Sequence, residues 1–165
     1  KIAQEAAHRF CPARFLNICF FEGGISHEIE RKKSDCRKVV NVNEGAVNGI
    51  VTLAFDGGQI TGTISMNAIK ELGLVPGKEA VAIIKATEVM IGLGEMVLSA
   101  RNKFKGTICR IDEGAVNAIV CMEIAGGHRI SATISMNAVK ELELAVGKEA
   151  VAVIKATSVM FGVEE

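Results

Sequence analysis

TISMNAIKEL at residues 63–72 recurs as TISMNAVKEL at residues 133–142, and this repeated stretch decides the fold. Working outward from it, EGAVN at residues 44–48 recurs at 113–117, and the run that begins GKEAVA at residues 77–90 recurs at 147–160. A spacing of about 70 residues is too long for a solenoid repeat and is typical of a small domain repeated in tandem. The sequence therefore predicts two domains, at residues 39–92 and 99–163, after an N-terminal segment, residues 1–38, that matches neither copy.

Each copy carries the pattern of a β-hairpin followed by a short helix. In the second copy every other residue from 116 to 124 is apolar, which predicts a strand with one face in the core; that face consists of Val116, Ala118, Val120, Met122 and Ile124. Two glycines then turn the chain into a returning strand at residues 130–134, and Ser135 is placed to cap the helix that follows. Strands at residues 150–156 and 158–161 complete the copy, and His128, inserted at the hairpin tip, is predicted to be solvated.

These elements predict a mainly β protein made of two tandem OB-like barrels, each with five strands and one short helix. A barrel of about 65 residues buries little apolar surface by itself, so we expect the barrels to associate. The join at residues 92–98 is short and partly apolar, and we expect it to pack instead of flexing.

Composition argues against several classes of function. The 19 basic and 19 acidic side chains balance, and Trp and Tyr are absent, so neither clustered positive charge nor stacking aromatics favour nucleic-acid binding. No apolar run reaches 18 residues and the first residues contain no uninterrupted apolar stretch, so we expect neither a membrane span nor a secretory signal. Five cysteines without a C-x-x-C pair predict reduced thiols in the cytoplasm, with Cys109 and Cys121 as small buried hydrophobic residues.

Hydrogen-bond donors gather at the predicted strand ends. The second copy supplies Ser99, Arg101 and Asn102 at its start, and Thr133, Ser135, Lys155 and Thr157 at later strand ends. Such donors suit a tetrahedral oxyanion, which needs many hydrogen bonds more than full neutralisation of its charge. The residue types alone leave a second interpretation open, because Ser and Thr at strand ends also cap and turn, and Lys is commonly only solvated. No nucleophile with a base, paired carboxylates or metal ligands stand at usable spacing, so we predict no catalytic residues, no enzyme activity and no metal site.

Several separated motifs, in the same order, resemble the Mop family of molybdate-binding domains, the molbindins. They are Ser99-Ala100-Arg101-Asn102, Glu113-Gly114-Ala115-Val116-Asn117-Ala118, the Thr-Ile-Ser-x-x-Ala-Val-Lys-Glu-Leu helix, and the ending from Ile154 to Met160. Two copies in tandem resemble the di-Mop arrangement. The resemblance implies OB-like (Mop/TOBE-type) barrels, molybdate or tungstate as a bound ligand at interfaces between barrels, and no catalytic cofactor. It also implies a homo-oligomer, with a trimer of the tandem unit expected.

Carried over position by position, the resemblance implies molybdate ligands in both copies. In the second copy they are Ser99, Ala100, Arg101, Asn102, Thr133, Ser135, Lys155, Ala156 and Thr157, with the alanines acting through backbone groups; the first-copy equivalents are Thr63, Ser65, Lys85, Ala86 and Thr87. The first copy departs from the family at its start, where Glu30-Arg31-Lys32-Lys33 stands opposite Ser99-Ala100-Arg101-Asn102. We therefore expect sites that need this segment from the first copy to be weakened or absent.

The leading interpretation is a non-catalytic, cytoplasmic protein that binds molybdate for storage or homeostasis. The alternative is a molybdate-sensing module of a transcriptional regulator or of a transporter ATPase, which acts through a partner. Nucleic-acid binding, common among OB-like barrels, is disfavoured by the neutral charge and the missing aromatics. The resemblance implies neither a nucleic-acid nor a membrane partner.

Overall fold

The computed structural model describes residues 37–163, and these residues form ten strands and two α-helices. The first copy contains β1 (Lys38–Glu44), β2 (Asn48–Phe55), β3 (Gly58–Ser65), α1 (Met66–Glu71), β4 (Val81–Ile83) and β5 (Val89–Gly92). The second copy contains β6 (Asn102–Glu113), β7 (Asn117–Ile124), β8 (Arg129–Ser135), α2 (Met136–Glu141), β9 (Glu149–Ile154) and β10 (Met160–Gly162). Short 3-10 turns lie at Ala86–Glu88, Ala125–Gly127 and Ala156–Ser158. Neither α-helix of this part of the chain is long or apolar enough to cross a membrane.

The helices begin and end where the sequence supplies caps. The Ser135 hydroxyl accepts a hydrogen bond from the Ala138 amide at 3.1 Å, and the corresponding bond in the first copy, from Ala68 to Ser65, measures 3.2 Å. After each helix the chain takes a left-handed conformation, at Gly73 (φ +59°) in the first copy and at Glu143 (φ +49°) in the second. The predicted cap at Ser135 is therefore confirmed.

The last strands of the two copies are exchanged. β5 of the first copy pairs antiparallel with β9 of the second, in the order β5-β9-β6-β7-β8, and β5 also contacts β8. In return, β10 pairs with β4 and contacts β3 of the first copy, whose sheet has the order β1-β2-β3. Each barrel therefore closes with a strand from the other copy. The prediction of two tandem five-stranded OB-like barrels with one short helix each is confirmed, but the expectation that each copy supplies all five of its own strands is wrong.

Apolar side chains on alternate strand positions fill both barrels. Four residues of this face are buried as predicted: Ala118, Val120, Met122 and Ile124. Burial of each of the three larger side chains contributes about 1.5–3 kcal/mol to the free energy of unfolding. Val116, predicted to belong to this face, is 73% exposed, because it precedes β7 in the turn between β6 and β7. The predicted strand at residues 150–156 ends at Ile154, and the 3-10 turn Ala156–Ser158 replaces the start of the predicted last strand.

The two hairpin tips pack directly against each other. Gly126 (φ +79°) lies so close to the first copy's tip that a Cβ there would overlap the carbonyl oxygen of Asp56. His128 is only 1% exposed, and its ring lies edge-on to Phe55 with the centroids 5.3 Å apart. The prediction that His128 is solvated is wrong, because the tip that carries it is covered by the tip of the other copy.

Candidate functional site

A cavity of about 600 Å³ lies where the two copies meet. Its polar lining comes from β3 of the first copy, from the segment that precedes β6, and from the turn that follows β9; the residues are Thr63, Ser99, Ala100, Arg101, Lys155, Ala156 and Thr157. All seven are residues predicted as ligands, although Thr63 and Arg101 lie 38 positions apart in the sequence. The fold thus gathers half of the predicted site residues into one place.

The polar side of the cavity is a set of donors. Arg101 and Lys155 bring two positive charges, and Thr63, Ser99 and Thr157 bring three hydroxyl groups. Among the described residues that line the cavity, none is acidic. Charge-assisted hydrogen bonds from guanidinium and ammonium groups are the strong type, so this arrangement can hold a compact dianion.

The apolar wall of the cavity was missed by the sequence reasoning. It consists of Met90 and Ile91 from β5, Met96 and Leu98 from the join, and Val153 from β9. The join packs as expected only in its first part: Leu93 lies against the hydrophobic core and Met96 contacts Gly92, but Val97 is fully exposed and Leu98 is partly exposed. No local pattern identifies this wall, because β5 reaches the cavity only through the strand exchange.

Asn102 connects the two copies at the edge of the cavity. Its carboxamide oxygen accepts from the Thr61 amide at 2.7 Å, and its nitrogen donates to the carbonyl oxygens of Thr61 at 2.8 Å and Ile154 at 3.3 Å. The side chain is only 3% exposed. Its carboxamide binds both the N–H and the C=O of Thr61, as the backbone of a neighbouring strand would. The side chain of this predicted ligand is thus engaged within the protein, where it fixes the segment that carries Arg101.

The turn that carries Lys155 and Thr157 is set by backbone hydrogen bonds. The Ser158 amide donates to the Lys155 carbonyl at 3.0 Å, which holds the 3-10 turn after β9. The turn packs against β3, the strand that carries Thr63. This packing places ligands predicted from different copies on the two sides of one cavity.

The other predicted residues lie outside this cavity. Lys85, Ala86 and Thr87 occupy the equivalent first-copy segment, and its 3-10 turn packs against β8, which carries Thr133. Ser65 and Ser135 are exposed and use their hydroxyls to cap α1 and α2. The segment 30–33, which stands opposite Ser99–Asn102 in the repeat, lies outside the described residues.

Two titratable side chains among the described residues have shifted pKa values. The hydrogen bond and charge of Lys105, 3.0 Å away, lower the pKa of the exposed Glu95 carboxyl. Burial and the hydrogen bond with Cys121 raise the pKa of the Cys109 thiol to about 11. Cys121 is buried as predicted, whereas Cys109 is only half buried. Within residues 37–163 no group of three or more His, Cys, Asp or Glu side chains is placed to hold a metal ion.

Comparison with known proteins identifies the domain type. The TOBE domain matches residues 38–91 and 98–161, that is, both copies. A probable molybdenum-pterin-binding protein of Haemophilus influenzae is 61% identical to this chain over 69 residues, which are 42% of the chain and 100% of that protein.

Two longer matches span both copies. The structure of the cytoplasmic molybdate-binding protein ModG, with molybdate bound, superposes with a TM-score of 0.75 at 37% identity, over 84% of this chain and 100% of that one. The molybdenum transport protein ModE of Herbaspirillum seropedicae is 37% identical over 127 residues, which are 75% of this chain. The chain spans about half the length of ModE, 47%.

Proposed function

The chain belongs to the TOBE domain family, and from that premise we propose that it binds molybdate without catalysing a reaction. The observation that carries the proposal is the cavity between the copies, in which Arg101 and Lys155 face the hydroxyls of Thr63, Ser99 and Thr157. The similarity to ModG, described as a cytoplasmic molybdate-binding protein, supports the same ligand and a cytoplasmic location. Storage or homeostasis of the oxyanion is the role that such binding serves.

The donors of the cavity match the chemistry of a tetrahedral dianion. Two cations offset the two negative charges, while the hydroxyls and the backbone groups at Ala100 and Ala156 supply further hydrogen bonds. Phosphate carries a proton at neutral pH, and no carboxylate lines the described cavity to accept it. The cavity hydroxyls can accept this proton, but they are weaker acceptors than a carboxylate, so the site favours an oxyanion that is fully deprotonated. Tungstate shares this charge and shape, and we expect it to compete.

We propose that the binding protein is a homo-oligomer, with a trimer of the tandem unit as the expected form. The cavity of about 600 Å³ is large for a single oxyanion, and its lining includes the exposed side chains of Met96 and Leu98, which flank the fully exposed Val97. Another copy that covers these apolar side chains reduces the volume to that of the ligand and excludes water from it. Because a ligand held between subunits stabilises their association, molybdate then increases the oligomer population.

Titration calorimetry in buffer free of sulfate and phosphate tests this function directly. We expect saturable molybdate binding that is lost in a double variant, Arg101→Ala with Lys155→Ala. Lys140→Ala is the matched control, because Lys140 is an exposed cation on α2 outside the cavity. No heat and no thermal shift at millimolar molybdate, or equal binding by the double variant, would contradict the proposal. Light-scattering mass with and without molybdate tests the trimer in the same samples.

A molybdate-sensing module of a transcriptional regulator or of a transporter ATPase is the second candidate, and the similarity along both copies to ModE, described as a molybdenum transport protein, favours a role connected with transport. A sensing module must change a surface that a partner recognises when the ligand binds, whereas a store needs changes only at the site. Hydrogen exchange with and without molybdate separates the two. Protection limited to the cavity lining supports storage, and protection that extends to surfaces remote from the cavity supports sensing.

A further inference from the structure

The Asn102 side chain has no donor left for a bound oxyanion. A carboxamide nitrogen carries two N–H groups, and here it donates to the carbonyl oxygens of Thr61 at 2.8 Å and Ile154 at 3.3 Å. The carboxamide oxygen accepts from the Thr61 amide at 2.7 Å. Because an oxyanion needs donors, these hydrogen bonds leave the side chain nothing to offer it directly.

The residues that these bonds join are close neighbours of the cavity donors. Asn102 directly follows Arg101, Ile154 directly precedes Lys155, and Thr61 stands two positions before Thr63 on the same side of β3. Arg101, Lys155 and Thr63 come from three separate segments, and all of them line the cavity. One side chain therefore joins the three segments that bring both cations and a hydroxyl to the site.

Asn102 is also the point at which the segment that carries Arg101 is anchored. Residues 94–99 and Arg101 are exposed and lie outside helices and strands, whereas Asn102 is 3% exposed and begins β6. From Asn102 onward, β6 pairs with β9, and it also contacts β3. The position of the guanidinium relative to Lys155 and Thr63 therefore depends on the bonds of Asn102.

We propose that Asn102 is a positioning residue for oxyanion binding: it holds Arg101, Lys155 and Thr63 at the separations that one oxyanion bridges. This inference rests on the proposed function and adds a residue that sets affinity without contacting the ligand. Charge-assisted hydrogen bonds form over a narrow range, about 2.7–2.9 Å, so donors on segments that shift relative to one another no longer reach the same ligand. In metal sites, loss of a residue that only orients the ligands costs about 10–100-fold in affinity.

Titration of Asn102→Ala with molybdate measures this effect, at a temperature at which circular dichroism shows the variant to be folded. We expect the dissociation constant to rise by at least about tenfold, because Arg101 and Lys155 remain but are no longer aligned. Gly126→Ala is the control for stability: it is expected to destabilise the fold by a similar amount, and Gly126 does not line the cavity. Its dissociation constant is expected to stay within about twofold of the parent value.

Thr61→Pro reaches the same hydrogen bonds from the other side. It removes the amide that donates to Asn102 and leaves the cavity lining unchanged, and β3 lies at the edge of its sheet, where proline is tolerated. We expect weaker molybdate binding, and a double variant with Asn102→Ala whose loss of binding free energy is smaller than the sum of the two single losses. Thr52→Val removes the hydroxyl contact with Thr61, keeps the amide, and is expected to bind as the parent chain does. If Asn102→Ala does not fold, Thr61→Pro and Thr52→Val still decide.

A dissociation constant for Asn102→Ala within about twofold of the parent value, or an equal loss of affinity in Gly126→Ala, overturns the inference. A loss in Asn102→Ala that Thr61→Pro does not share also overturns it, because the side chain then acts on the ligand directly. If the parent chain binds no molybdate, the proposed function fails and the inference fails with it. If the parent chain binds and both variants bind equally well, only the inference fails.

Discussion

Replacing Asn102 by alanine tests whether this residue holds the two copies together. The change removes three hydrogen bonds, two to Thr61 of the first copy and one to Ile154. Each such bond contributes about 1 kcal/mol net, and a buried group left without a partner costs about 1–3 kcal/mol. Ile154 is fully buried whereas Thr61 is partly open to water, so water replaces some of the lost bonds at Thr61. We therefore expect the free energy of unfolding to fall by about 2–3 kcal/mol.

Far-UV circular dichroism during urea unfolding is the suitable assay, because the chain has no Trp or Tyr to report by fluorescence. The expected loss corresponds to a midpoint lower by about 1 M urea or more. Asn117→Ala is the control: Asn117 is exposed, and its change is expected to stay within about 0.5 kcal/mol. A loss below about 1 kcal/mol for Asn102→Ala, or one no larger than that of the control, would refute the role assigned to this side chain.

Three further predictions concern the hairpin tips and one thiol. Gly126→Ala forces a Cβ into the other copy's tip at φ +79°, and we expect it to lower the free energy of unfolding by at least about 2 kcal/mol. Gly127→Ala, at φ +74° with no atom within 4 Å of the added Cβ, is expected to lower it by about 1 kcal/mol. Equal melting temperatures of the two variants would contradict this difference. His128→Leu replaces a buried ring whose two nitrogens have no hydrogen-bond partner among residues 37–163, so we expect a stabilisation of about 1 kcal/mol in urea unfolding. A loss of stability would show that the ring is needed. The pKa of Cys109 rises from 9.0 to about 11 on folding, so the folded protein keeps a proton that the unfolded chain releases. The free energy of unfolding is therefore expected to fall as the pH rises from about 9 to about 11, and this fall should be smaller in Cys109→Ala. Iodoacetamide should also modify Cys109 slowly at neutral pH, which mass spectrometry of the peptides measures.

Local patterns were sufficient to predict most of the secondary structure. Alternating apolar residues gave β7 its buried face, and the Ser135 hydroxyl caps α2 as its position before the helical pattern indicates. These signals work because a strand face and a helix cap involve residues a few positions apart. Val116 is the exception: the apolar alternation includes this residue, but it lies one position before Asn117, where the pairing of β7 with β8 starts.

The site was predicted only in part. The repeat and the family resemblance predicted Arg101, Lys155 and Thr63 as ligands, and the structure brings all three to the lining of one cavity. Two other predicted ligands use their side chains within the protein: the Ser135 hydroxyl caps α2, and the Asn102 carboxamide binds backbone groups. Their role as ligands stays a prediction. A motif gives residue types in order, and it does not state which other groups in the fold those residues meet.

The sequence by itself determined the tandem repeat, the strand and helix order within each copy, and the chemical type of the donors. Only the tertiary structure decided the strand exchange, the burial of His128 and the meeting of Glu88 with Ser158. The reason is that residues 77–90 and 147–160, which include β4, β9 and the starts of β5 and β10, are nearly identical in sequence, so the local sequence offers β5 similar pairing partners in both copies. Pairing signals that are equal cannot select a partner, and the choice depends on contacts between residues far apart in the chain.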